Sequence, residues 1–144
     1  MPHVSNRKIA DDQFKKIYTH LISMVDTAGT KRKSDSLLKE FFTESEKMMF
    51  AKRLAILWMI HEGISTHNIA DTLLVSPSTV SRISARYEQH RYPYISTILE
   101  KNRQTIWQAL EEVIRLSSER YTGKRRWDWL YEAERKYSKK IFKD

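Results

Sequence analysis

Few residues in this chain have the types and spacing that bond-making chemistry needs. His61-Glu62 with His67 suggests a metal pair, but Gly63 falls between the histidines and their spacing is not the i, i+4 of a zinc-binding helix. They read as surface or capping histidines. Cysteine is absent, which removes disulfides, thiolate metal sites and cysteine nucleophiles together. No glycine-rich phosphate loop and no Ser/His/Asp set stands out. Asp11-Asp12 and Glu111-Glu112 read as solvated helix faces. The expectation is a protein that is not an enzyme, with no metal site.

What does stand out is a surface. Residues 73–87 read LLVSPSTVSRISARY. Ser76 at a helix cap and Pro77 at the first helical position form a well-motivated pair, since the proline's missing N–H would have had no partner there. On the helix that follows, Val80, Ile83 and Tyr87 recur on one face. Thr79, Arg82 and Arg86 share another, flanked by Ser78, Ser81 and Ala85, with no carboxylate before Glu88. Small hydroxyls and a helix N-terminus donate well to phosphate, and arginine can fork onto guanine O6 and N7. The alternative is a polar solvated face on an ordinary pair of helices.

The elements that would position this face are helical throughout. Phe14, Ile17, Tyr18, Leu21, Ile22 and Val25 recur at steps of three and four from Asp11 to Ala28, and Gly29 is a natural stop. KRKSDS at 31–36 reads as a charged connector, with LLKEFF a short apolar turn after it. Thr43-Glu44-Ser45-Glu46 is a capping box, opening a helix that ends at Gly63 and is apolar around most of its circumference. Ser65 caps a short helix, THNIADTLL. Ile69, Leu73, Val75, Val80 and Ile83 can converge between that helix and the next, and Ala70 is small enough for close approach, the residue pattern of a helix-turn-helix. Turns of this kind often carry glycine where Leu74 stands; a leucine in left-handed backbone costs about 1 kcal/mol. A long helix is expected from about Tyr94 to Arg120, and a last, basic and aromatic helix in KRRWDWLYEAERKYSKKIF. The count is seven helices and no strand.

The net charge is +8, from 26 Lys and Arg against 18 Asp and Glu. So basic a chain favours a polyanionic partner. The excess is not evenly spread: residues 41–89 hold five basic and five acidic side chains, residues 1–40 eight and five, residues 90–144 thirteen and eight. Positive charge therefore lies in the flanks. No secretory leader and no run of 18 apolar residues is present, so a cytoplasmic protein without membrane association is expected.

The stretch from Phe42 to Tyr87 resembles the Trp repressor superfamily, through FTESEKMMFAKRLAILWMI, then EGIS, then NIADTLLVSPSTVSRIS. The order of the surrounding helices is similar too. The resemblance implies an all-α Trp repressor-like domain and an intertwined homodimer in which the N-terminal and following helices of two chains share a core. The apolar helices at 11–28 and 94–120 support this independently, being too long for one small reader unit to cover. In that family an indole lies between two arginines with threonines nearby, and the matching positions are Thr43, Arg53, Thr79 and Arg82. Ile83 stands where the tryptophan-binding members have glycine, and would fill the slot that the indole needs. The expectation is a member that does not sense L-tryptophan and uses no cofactor.

The reading is thus a homodimeric regulator that binds double-stranded DNA. Residues 1–121 form the dimerisation and helix-turn-helix domain, with the reader at 65–90, and residues 122–144 a basic aromatic helical extension. Ser78, Thr79, Ser81, Arg82 and Arg86 would contact DNA, with Ser76 and Pro77 opening the reader helix and Thr66 and His67 beside the backbone. The extension reads as a packing helix with some DNA-backbone contact through Lys124, Arg125 and Arg126, or as a partner-docking or membrane-surface helix. The alternative for the whole is a protein-interaction module or small adaptor that uses the same helical surface.

Overall fold

The computed structural model describes residues 9–105, 107–109 and 111. Among them are six helices and no strand: α1 (Asp11–Ala28), α2 (Lys31–Phe41), α3 (Glu44–His61), α4 (Thr66–Leu73), α5 (Pro77–Glu88) and α6 (Pro93–Lys101). The chain divides into two compact units, Met1–Ala51 and Lys52–Asp144. The expected boundary at 121/122 and the expected helix at 122–144 lie outside the described residues. No helix among the described residues is long and apolar enough to cross a membrane.

In the first unit, α1 occupies the expected span. Asp11 and Asp12 sit in its first turn, where the helix dipole favours carboxylates, and Gly29 ends it at φ 54°. Thr19, Ser23 and Thr27 each donate to the carbonyl four residues back, so these hydroxyls are satisfied within the helix. KRKSDS is not a connector: α2 begins at Lys31. The Thr30 hydroxyl accepts from the backbone N–H of Lys33, and Asp35 pairs with Lys39 one turn along at 2.6 Å. These local bonds make a charged stretch helical without a core to pack on. The capping box at the start of α3 forms in full. The Thr43 N–H donates to the Glu46 carboxylate at 2.9 Å, and the Glu46 N–H donates back to the Thr43 hydroxyl at 3.3 Å. Those contacts, the Thr43 backbone N–H first and its hydroxyl second, hold the Glu46 carboxyl below the usual carboxylate range.

The second unit holds the core. Ile56, Leu57 and Met59 of α3, Ile69 and Leu73 of α4, and Val80 and Ile83 of α5 are all buried. Burying one such side chain stabilises by about 1.5–3 kcal/mol. Ala70 is buried among them and Val75 packs against them, so the expected convergence occurs. Leu54, also on α3, remains exposed.

Three helices of this unit end in left-handed backbone, at Gly63 (φ 76°), Leu74 (φ 52°) and His90 (φ 54°). In each the next residue's N–H returns to a carbonyl five residues back: Ile64 to Met59, Val75 to Ala70, Arg91 to Arg86. Leu74 thus adopts the conformation for which glycine is usual. The long helix expected from Tyr94 is interrupted. α6 stops at Lys101, and helical backbone resumes at residue 103. Asn102 marks the break: its side-chain amide donates to the Ile98 carbonyl at 2.9 Å, competing with the ordinary helical bond from its own N–H at 3.1 Å. Leu99 is buried while Ile98 is exposed. Ile106, Leu110, Val113 and Ile114 of the expected stripe lie outside the described residues. Trp107, which was not among the expected core residues, is buried.

Candidate nucleic-acid interface

The reader helix α5 is anchored at its start by local chemistry. The Ser76 hydroxyl accepts from the Thr79 N–H at 3.3 Å and lies 2.8 Å from the Thr79 hydroxyl and 3.1 Å from that of Ser78. Pro77 occupies the first turn. These three hydroxyls cluster at a helix N-terminus, where the helix dipole favours an anion and hydroxyls can donate to a phosphate oxygen. The turn before it is tied from α3: the Lys52 ammonium donates to the Leu74 carbonyl at 3.3 Å. Nothing in the local sequence pattern signals that contact, because the partners are 22 residues apart.

The two faces of α5 separate as the spacing predicts. Val80 and Ile83 are buried and Tyr87 is half-buried against the core. Ser78, Ser81, Arg82 and Arg86 are exposed, and Thr79 is partly so. Arg82 and Arg86 lie one turn apart on the open side, the placement from which a guanidinium can reach base edges or phosphates. Thr66 and His67, in the first turn of α4, are exposed as well, next to the Ser65 hydroxyl that caps that helix. Among the described residues, no group of His, Cys, Asp and Glu could hold a metal.

Thr43 of the expected ligand set belongs to the first unit, and Arg53, Thr79 and Arg82 to the second. Thr43 and Thr79 both spend their hydroxyls on capping contacts, while Arg53 and Arg82 are exposed. Ile83 packs into the core with 8% of its surface exposed.

His61 is not a surface histidine. Its side chain is 15% exposed. Nδ1 lies 2.6 Å from the Tyr87 hydroxyl and Nε2 3.0 Å from the Glu100 carboxylate. Beside it the Arg103 guanidinium donates twice to the Glu62 carboxylate, at 3.1 and 2.9 Å. Partners 26 to 41 residues apart left no periodic signal from which this network could be read.

No curated protein and no solved structure matches the chain significantly. The family described as Trp repressor protein matches residues 16–103, well over half of the chain and the whole of the helix-turn-helix. An all-helical architecture, a helix-turn-helix with an open polar second helix and this match agree: the chain belongs to the Trp repressor family of DNA-binding regulators.

Proposed function

We propose that this protein is a sequence-specific, repressor-like regulator of transcription that acts as a homodimer in the cytoplasm and reads base edges with α5. The observation that carries this reading is the separation of α5 into a buried face, Val80 and Ile83, and an open face of Ser78, Ser81, Arg82 and Arg86. Ser76 and Thr79 at the helix start, with Thr66 and His67 on α4, would position the reader on phosphates. The basic flanks would supply the sequence-independent share of affinity, and the charge-neutral reader the discrimination.

A homodimer is supported by apolar surface that the first unit does not cover by itself. None of α1 is buried, although Phe14, Ile17, Tyr18, Ile22 and Val25 form its apolar stripe. Two-fold helix-turn-helix dimers, the Trp repressor among them, address half-sites about 34 Å apart, which sets the expected operator spacing. Tryptophan sensing is disfavoured by Ile83, whose β-branched side chain fills the space beside α5 that a glycine would leave open.

Selection of bound duplexes from a random library tests the reading, and a palindromic consensus is the expected result. Arg82→Ala should then weaken binding to that consensus by about 1–3 kcal/mol and relax preference at one position. Equal losses on all sequences would make Arg82 a phosphate contact. Failure to enrich any sequence would favour the interaction module. Calorimetric titration with L-tryptophan should give no saturable heat.

A further inference from the structure

His61 is the last residue of α3, Tyr87 the last but one of α5, and Glu100 the last but one of α6. One imidazole therefore ties together the C-terminal ends of three helices. Its chemistry is constrained by its partners. An ionised carboxylate only accepts hydrogen bonds, so the nitrogen facing Glu100, Nε2, carries the proton. In the neutral ring Nδ1 is then the bare nitrogen and the Tyr87 hydroxyl donates to it across 2.6 Å; in the imidazolium Nδ1 donates to that hydroxyl instead, so the contact holds in either state. The rings of His61 and Tyr87 meet edge to face, with centroids 6.3 Å apart. Glu100 is held from its other side by Arg103, whose guanidinium approaches it to 3.9 Å while paired with Glu62.

The start of α5 is fixed by the Ser76 cap and by Lys52 on the turn. The Tyr87–His61 bond fixes its other end, one residue beyond the exposed Arg86. We propose that His61 is a positioning residue for the reader helix, holding the last turn of α5 through Tyr87 in the one orientation from which Arg82 and Arg86 reach base edges together. This rests on the reading of α5 as the DNA reader. A bidentate arginine–guanine contact tolerates little displacement, so loosening this end reduces discrimination before it reduces overall attraction to phosphate.

Two measurements test it. In the free full-length protein, at a pH where the ring is neutral, nitrogen-15 NMR should show His61 held as a single Nε2-protonated tautomer with Nδ1 accepting. Shifts averaged between tautomers, as in a solvated imidazole, would overturn the latch without reference to DNA. Tyr87→Phe keeps the ring and removes only the hydroxyl. It should lower the ratio of affinities for the selected duplex and a scrambled duplex by about tenfold, leaving affinity for the scrambled duplex unchanged. His61→Gln, which keeps a donor and an acceptor, should retain more of that ratio than His61→Leu. A lower melting temperature with an unchanged ratio in all three variants would make the contact merely structural and overturn the positioning role. If the wild-type chain enriches no sequence, the DNA reading falls and the positioning role with it. The ring-nitrogen measurement still decides whether the latch exists.

Discussion

The helices α1 and α5 use the same device, an apolar stripe on an amphipathic helix, and end in opposite states. On α5 the stripe is spent: Val80 has 0% of its surface exposed, closed over by α3 and α4. On α1 the same kind of stripe is open, with Ile17 61% exposed. The helix-turn-helix buries its own converging side chains within one chain, while the first unit does not bury the stripe of α1 by itself. The lesson concerns where cooperativity resides. An exposed apolar stripe of this size is what an obligate interface looks like from one side, and stability drawn from such a surface depends on protein concentration.

The largest effects should separate those two helices. Ile69→Ala, at a side chain with 0% exposure, should lower stability by about 2–5 kcal/mol. Chemical denaturation would measure it, and the loss should be present at every protein concentration. Ile17→Asp should instead leave the helix-turn-helix amides protected from exchange while sedimentation shows assembly shifted to monomer at micromolar concentration. Unchanged sedimentation would show that the stripe on α1 has no partner copy.

A smaller effect is expected at the corner of the reader unit. Leu74→Gly relieves left-handed backbone at a residue that is 57% exposed, so little burial is lost in exchange. The gain should be a few tenths to about 1 kcal/mol, seen as a higher melting temperature with unaltered DNA preference. A loss would mean that the Leu74 side chain contributes contacts outweighing the strain.

The smallest effect belongs to the first unit. The Glu46 carboxyl is held below its ordinary range, so its contribution is complete above the unfolded value near 4.5 and lost as pH falls through the lower folded value. The difference in melting temperature between wild type and Glu46→Ala should therefore be constant around neutrality and shrink in acid. A difference that persists at low pH would show that the carboxylate's charge adds nothing.

What could be read from the sequence was what sequence encodes locally. Gly29, the capping box at Thr43 and the Ser76-Pro77 pair each mark a helix boundary by chemistry confined to four residues, and each boundary stands where it was expected. The faces of α5 followed from a 3.6-residue period. The misses have two physical sources. Thr30 and Asn102 act through side-chain hydrogen bonds too common in composition to be distinctive, one starting α2 early and the other cutting α6 short. Lys52 on the turn and His61 on Tyr87 depend on which helix ends meet in space, and no period in the chain records that.

The corner is held by the Ser76 hydroxyl, by backbone bonds and by Lys52, and the far end of α5 by Tyr87. Among the described residues, the side chains of Ser81, Arg82 and Arg86 take part in none of the fold's hydrogen bonds or ion pairs. The scaffold and the message written on it are therefore separable. Those three positions can be randomised together without touching the residues that keep the helix in place, so, on the proposed reading of α5 as the DNA reader, libraries built there would explore new operators at nearly constant stability. Natural divergence of targets among copies of such a gene could follow the same route, changing what is recognised while leaving intact the machinery that presents it.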